Sequence, residues 1–196
     1  NRLTSLMLPA SVTAVDASNN KLTTLDVSAA KNLTTLNVAN NTLGSLNVAQ
    51  NKALVELNCT GNDIATLNLT NLLLLEELYC GGNNLAALNV TKNTTLTALE
   101  CNDNGLTALD LTKNAALVTL NCRDNQLPSI HLGSTLFTTI DCANNQLNNL
   151  NVSTFTKLQS LDCSHNNIAT LDVAKCAAIE TLNCSYNNIA SLNVRA

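Results

Sequence analysis

The sequence has few aromatic and few charged residues. Only 2% of its 196 residues are aromatic, with no Trp, two Tyr and two Phe, whereas 45% are hydrophobic. The interior must therefore consist of Leu, Val, Ile, Ala and Cys. Charged residues make up 12% and the net charge is −4. Because nucleic-acid binding depends on clustered Lys and Arg, we expect no nucleic-acid partner.

Long hydrophobic runs and catalytic motifs are absent as well. The longest apolar runs, such as Leu72–Leu75, are far shorter than the roughly 20 residues of a transmembrane helix. No nucleophile elbow, phosphate loop, HExxH or CxxC pattern occurs. We therefore expect no membrane span, no cofactor and no enzymatic activity. The chain begins with Asn1 rather than Met and shows no signal-peptide pattern, so we interpret it as a mature or excised piece of an exported protein.

The sequence contains an internal repeat with a period of 21 residues, and such a period is typical of stacked arrays. One apolar column consists of Ala17, Val38, Cys59, Cys80, Cys101, Cys122, Cys142, Cys163 and Cys184, with one step a residue shorter than the others. Three residues after each member comes an asparagine, in the column Asn20, Asn41, Asn62, Asn83, Asn104, Asn125, Asn145, Asn166 and Asn187. The repeat predicts nine rungs.

The spacing within each unit predicts short strands. One unit, Leu54 to Leu74, reads LVELNCTGNDIATLNLTNLLL, and its neighbours follow LxxLxCxxNxLxxLxVxxNxx. Residues two apart in a strand share a face, so the fourth and sixth positions point inward together. Stacked units then form a parallel sheet on the main face. The second half, LxxLxV, predicts a second short-strand or extended ladder on the opposite face, with little or no helix.

The first eleven positions of each unit resemble the LxxLxLxxNxL segment of leucine-rich repeats. The nested second half, as in Leu88-Asn89-Val90, resembles the bacterial 21-residue subclass called IRREKO. The resemblance extends from about Leu3 to Val194. It implies a right-handed leucine-rich-repeat solenoid, one domain over residues 1–196 with partial units at both ends. It further implies a secreted or surface-exposed bacterial module for protein or glycan recognition and adhesion; the alternative is a structural spacer that presents another domain.

The Asn and Cys columns have structural interpretations. An inward Asn at each bend can bond the backbone of its own and adjacent turns. The cysteines lie at a position that also accepts Ala17 and Val38, so we expect buried free thiols, with a disulfide or a metal as alternatives. The eighth, Cys176, falls in a second predicted buried column with Ala30, Asn51, Leu72, Asn93, Asn114, Thr135 and Phe155.

The exposed positions of the main sheet are the predicted ligand surface. An acidic zone with a tyrosine inside it stands out, and the candidate contact residues are Glu56, Glu76, Glu77, Tyr79, Glu100, Asp103, Arg123, Asp124, His165 and Tyr186. Tyr and Arg are favoured at interfaces, although the same pattern also suits a merely solvated face. A calcium site between Asp103 and Asp124 is a further alternative. The two histidines, His131 and His165, belong to opposite halves of their units and cannot share a site.

Two stretches depart from the repeat. We expect Leu72–Leu74 to pack inside the bend; an exposed docking spot is the alternative. The unit from Leu117 to Leu136 is one residue short near Gly133, and with Pro128 in the same turn it predicts a local kink or irregular loop. Both ends of the chain fall inside partial units without capping repeats. We therefore predict either end-to-end self-association or flanking segments in the natural protein.

Overall fold

Each unit contributes one short strand to a parallel sheet. The computed structural model describes residues 1–192 and 194. In chain order its strands are β1 (Ala14–Asp16), β2 (Thr35–Asn37), β3 (Glu56–Asn58), β4 (Glu77–Tyr79), β5 (Ala98–Glu100), β6 (Asp110–Leu111), β7 (Thr119–Asn121), β8 (His131–Leu132), β9 (Thr139–Asp141), β10 (Ser160–Asp162) and β11 (Thr181–Asn183). All except β6 and β8 form one nine-stranded sheet in chain order, with parallel pairing throughout. The predicted leucine-rich-repeat solenoid is confirmed.

The opposite face is extended but scarcely paired. Strands β6 and β8 form a separate parallel pair with Asp110 opposite His131. His165 lies in the bend after β10, so the two histidines are on different parts of each turn, as predicted. The described residues contain no helix, and thus no helix long and apolar enough to cross a membrane.

The core consists of stacked columns of aliphatic side chains and thiols. In the central strands the middle residue faces inward: Leu57, Leu78 and Leu99 are completely buried, as are Cys59 and Cys101 two positions further on. Full burial of one such leucine contributes about 1.5–3 kcal/mol. Because every column is covered only by the turns before and after it, the core is continuous along the solenoid axis.

The asparagine ladder joins each turn to the preceding one. Asn83 shows the pattern: its Oδ1 accepts from the backbone N–H of Ile64 at 3.0 Å, and its Nδ2 donates to the carbonyls of Cys59 and Cys80 at 3.0 and 3.1 Å. A third bond, to the Gly81 carbonyl, is 3.2 Å long. The predicted bonding within one turn and across to the next is confirmed.

The second buried column is confirmed except at one position. Asn51, Asn93 and Asn114 are fully buried there, and each Nδ2 donates to two carbonyls, while no partner for the Oδ1 is found within the described part of the chain. Cys176 is also buried. The assignment of Thr135 is wrong: Thr135 is exposed, and Ser134 occupies the buried position.

The missing residue of the short unit is absorbed in the bend at Gly133. A Cβ there would lie 2.6 Å from the carbonyl oxygens of both Leu111 and Thr112, so only glycine permits this close approach. Ser134 donates to the Leu117 carbonyl at 2.6 Å, and the buried ring of Phe137 lies 5.5 Å from that of Phe155. The predicted irregular loop is confirmed, while the main sheet keeps its register from β7 to β9.

The run of leucines is divided between core and surface. Leu72 is completely buried, but Leu73 and Leu74 are 57% and 54% exposed. The expectation that all three pack inside the bend is therefore wrong for Leu73 and Leu74. The bend has room for one inward side chain at this point, the position that Asn51 and Asn93 take in the neighbouring units.

Candidate functional site

Three strands bring four unusual side chains together on the main sheet. Glu56 of β3 lies beside Glu77 of β4, and Tyr79 at the end of β4 lies beside Glu100 of β5. We call Glu56, Glu77, Tyr79 and Glu100 the acidic patch. Glu100 is exposed and the other three are half-buried. The parallel register alone places them side by side, since strands in a sheet are about 4.8 Å apart.

Tyr79 is the centre of the acidic patch. Its hydroxyl donates to Glu77 Oε2 at 2.6 Å. This hydrogen bond, followed by burial and by the charges of Glu77, Glu100 and Glu56, raises the pKa of Tyr79 above its ordinary value. The phenol therefore stays protonated and fixes the Glu77 carboxylate. The three carboxylates together produce a negative potential around one ordered aromatic ring.

The acidic patch interrupts a regular structural device. At the last position of seven main-sheet strands an Asn or Asp side chain accepts the backbone N–H two residues later, as in Asn58 with Thr60 at 3.1 Å. Such Asx turns stabilise the start of the bend. Tyr79 and Glu100 replace Asn or Asp at this position and form no such bond within the described residues. Their side chains are thus released from the turn.

Other predicted contact residues lie outside the acidic patch. Glu76 precedes β4 and is exposed. Asp103 lies in the bend after β5, where Asn102 Nδ2 donates to its Oδ2 at 2.7 Å. Both ion pairs in the described part of the chain belong to Arg123. Among the described residues, therefore, no lysine or arginine forms an ion pair with the acidic patch.

Arg123 forms a second, internally paired group. Its guanidinium contacts Asp124 at 2.8 Å and Asp141 at 3.4 Å. The hydrogen bond to Asp124 and the charge of Asp141 raise the pKa of Arg123 above its ordinary value. Asp124 also accepts from Asn144 Nδ2 at 2.8 Å. The charges of Arg123, Asp124 and Asp141 are therefore paired within the protein and are not free to bind a ligand.

His165 and Tyr186 form a third group, an exposed aromatic pair. Their rings stack with centroids 4.2 Å apart and an angle of 14° between planes. Both residues have a left-handed backbone with φ of 52°, and the residues at this bend position in the other units, including Asp103 and Asp124, are left-handed as well. Gly61 and Gly82 occupy the position in two units. Histidine is tolerated at a left-handed position, but tyrosine is unfavourable there, so local bend geometry does not explain Tyr186.

All eight cysteines are free thiols, as predicted, and all except the half-buried Cys184 are buried. Burial raises the pKa of Cys59, Cys101 and Cys163 to about 12. These thiols are protonated at neutral pH and behave as small apolar side chains. Among the described residues no group of three or more His, Cys, Asp or Glu side chains is placed to hold a metal ion.

A hollow lies on the opposite face, away from the acidic patch. It has a volume of about 600 Å³ and is lined by residues such as Leu67, Ala87, Leu88, Ala108 and Asp110. Asp110 is the only ionisable group in its lining, and its carboxylate already accepts the N–H of Thr112 at 2.9 Å. The hollow therefore has no ionisable side chain free to bind a ligand, and the acidic patch remains the stronger candidate. Sequence reasoning missed this hollow because small side chains at two successive turns give no motif.

Comparison with known proteins shows which solved structures share this fold. No protein-family model and no curated protein sequence matches the chain. The functional domain of InlJ from Listeria monocytogenes, described as including a cysteine ladder, aligns with a TM-score of 0.95 and 35% identity over 96% of this chain and 43% of that chain. A leucine-rich-repeat protein of Leptospira interrogans aligns with a TM-score of 0.85 and 23% identity over 98% of this chain and 54% of that one.

A plant structure extends the comparison. The leucine-rich-repeat ectodomain of the membrane receptor kinase GASSHO1/SCHENGEN3 from Arabidopsis thaliana, solved in complex with Casparian strip integrity factor 2, has a TM-score of 0.80 and 22% identity over 93% of this chain and 25% of that chain. Repeat, ladder and fold agree, and the chain is a leucine-rich-repeat protein. It spans about half or less of each of these three chains.

Proposed function

We propose that the chain is a non-enzymatic protein-binding module whose contact surface is the acidic patch on β3, β4 and β5. The observation that carries the proposal is the ordered Tyr79 ring among Glu56, Glu77 and Glu100, at the place where the Asx turns of the main sheet are interrupted. An ordered tyrosine with a polar edge suits an interface hot spot.

The charge of the acidic patch supports a basic partner. Unpaired carboxylates attract lysine and arginine, and complementary charge accelerates association and excludes acidic partners. The partner we propose is therefore a protein surface rich in lysine and arginine. A nucleic acid would be repelled by the same carboxylates. The plant receptor ectodomain with its bound factor gives a precedent for protein binding on this fold.

Binding measurements with charge-reversal variants test the proposal. The immobilised chain is presented with purified lysine- and arginine-rich proteins, with single-stranded RNA and with a glycan array. Glu77→Lys removes the acceptor of Tyr79 and reverses one charge, while Tyr79→Ala removes the ring. The matched control is Glu180→Lys, the same reversal at an exposed site outside the acidic patch.

The expected result is capture of a basic protein by the wild type and by Glu180→Lys. Glu77→Lys and Tyr79→Ala should each weaken capture by about tenfold or more, which corresponds to one hot-spot contact. Capture that survives both patch variants would contradict the proposal. Retention of glycans or RNA alone would also contradict it, and absence of any capture would favour a spacer that presents another domain.

We further propose that this is a bacterial protein that is secreted or located at the cell surface. We also propose that it belongs to the 21-residue IRREKO subclass of leucine-rich repeats. The likeness to two bacterial leucine-rich-repeat structures supports this location. Susceptibility of the full-length protein to protease added to intact cells is the expected result. Protection until the cells are lysed would contradict it.

End-to-end self-association remains a proposal supported by the sheet edges. Within the described residues, strands β1 and β11 each have a neighbour on one side only. Leu182 and Cys184 of the last unit are half-buried, whereas their counterparts in central units are fully buried. Light scattering over a range of concentrations should show association. Equal association of a chain extended by further repeats would contradict the role of these edges.

A further inference from the structure

The pair Asn104–Gly105 is the one Asn-Gly sequence in the chain, and it lies in the asparagine ladder. The other interior ladder asparagines, such as Asn83 at 8% and Asn125 at 8%, are buried, whereas Asn104 is half-buried. A hollow of about 350 Å³ opens directly over it and is lined by Asn83, Asn84, Ala86, Asp103, Asn104 and Gly105. Asn104 is therefore more accessible to solvent than the other interior ladder asparagines.

The backbone does not require glycine at position 105. Gly105 has no left-handed φ, and an added Cβ would meet only the Leu85 carbonyl oxygen, at an ordinary 3.6 Å. The next two units have Gln126 and Gln146 at the same position. Because glycine has no side chain, Asn104 is not covered from this side. The backbone nitrogen of Gly105 is also sterically unhindered.

We propose that Asn104 is a site of spontaneous deamidation that the native fold restrains. The Gly105 nitrogen loses its proton to solvent hydroxide and attacks Asn104 Cγ. A bond from nitrogen to Cγ forms, the bond from Cγ to Nδ2 breaks, and ammonia leaves after taking up a proton from water. The resulting cyclic imide adds water across either of its carbonyl–nitrogen bonds and opens to aspartate or isoaspartate.

Leu85 of the preceding turn holds both reacting groups. Its carbonyl accepts the Gly105 N–H at 2.9 Å, and its N–H donates to Asn104 Oδ1 at 2.9 Å. The nucleophile cannot approach Cγ until these bonds open. Reaction is therefore limited by local opening of the turn, which occurs in a small fraction of native molecules.

The product cannot rejoin the ladder. Nδ2 of Asn104 donates to the carbonyls of Cys80 at 3.1 Å, Cys101 at 3.3 Å and Asn102 at 3.0 Å. A carboxylate oxygen in its place would face three acceptors without a proton to share. Each opening of the central turn thus carries a chance of irreversible damage, and the modification records how often the turn has opened.

Peptide mapping by mass spectrometry tests the proposal. The purified chain is incubated at mildly alkaline pH in native buffer and, in parallel, in urea. Conversion at Asn104 should be at least about tenfold faster in urea, because every molecule there is open. Gly105→Gln, which copies the neighbouring units, should suppress conversion at Asn104 in urea, where folding has no influence.

Three results would overturn the proposal. Equal rates in native buffer and urea would show that the bonds to Leu85 do not restrain the reaction. Unchanged conversion in Gly105→Gln would remove the role of glycine. Faster conversion at another ladder asparagine in urea would show that Asn104 is not the preferred site.

After removal of urea, modified molecules should refold in lower yield than unmodified ones from the same sample. Equal yields would contradict the damage to the ladder.

Discussion

At the residue scale, the interior asparagines provide the polar bonding that a stack of short strands lacks. A strand of three residues pairs few of its neighbours' amides, so the bends must be satisfied by side chains. One amide group satisfies an N–H and three carbonyls in two consecutive turns. The asparagine column is therefore as much a part of the core as the leucines.

Replacement of a ladder asparagine should be costly. Asn83→Ala leaves the Ile64 N–H unpaired and buried and removes one of the two side-chain bonds to the Cys59 carbonyl, the other being from Asn62. We expect this to lower the free energy of unfolding by about 1–3 kcal/mol. The measurement is equilibrium unfolding in urea. The matched control is Asn84→Ala, since Asn84 is exposed and has no side-chain hydrogen bond within the described residues; a change above about 0.5 kcal/mol in the control would contradict the argument.

The cysteines show how far residue-scale reasoning reaches. Their position among Ala17 and Val38 in one column indicated small apolar side chains, and the structure has eight free thiols. The exposure of Leu73 and Leu74 could not be deduced in this way. Both are leucines like their buried neighbour, and only the path of the bend decides which of the three points inward.

At the element scale, the bends vary while the strands do not. The unit that is one residue short keeps its strand in register because the shortening is confined to residues between Leu132 and Phe137. Ser134 moves into the buried position that sequence alignment gave to Thr135. A deletion placed by counting is uncertain by one residue, and the close contact at Gly133 decides where it falls.

That close contact gives a prediction for the bend. Gly133→Ala would place a Cβ 2.6 Å from two backbone oxygens, and the backbone must shift, at a cost of about 1–3 kcal/mol. Thermal unfolding should show a lower Tm. Gly44→Ala is the matched control, because nothing lies within 4 Å of its added Cβ; its Tm should stay the same or rise slightly. An equal loss in both variants would refute the steric explanation.

The acidic patch is likewise a property of three strands. The sequence indicated an acidic zone with a tyrosine inside it, and parallel register brings Glu56, Glu77 and Glu100 around Tyr79. The sequence already has Tyr79 and Glu100 at the strand position where the other units have Asn or Asp. Its meaning became clear only when the other side chains in that column were found to bond the next bend.

At the scale of the whole molecule, stability depends on nearest neighbours. Each turn contacts only the turns beside it, so protection should decrease from the centre towards both ends. Hydrogen exchange should be slowest for backbone amides in β4, β5 and β7 and fastest in β1 and β11. Mass spectrometry of exchanged peptides gives the measurement, and uniform protection along the sheet would show instead that the solenoid opens as one unit.

The sequence by itself determined the solenoid, its period, its strands and its buried columns. It could do so because each unit repeats the same local rule and its partner is always the adjacent unit. Tertiary structure decided which leucine leaves the core, which residue occupies the shortened bend, and which charges are free. Those outcomes depend on distances across neighbouring turns, where a shift of one residue or one rotation of a side chain exchanges a buried position for an exposed one.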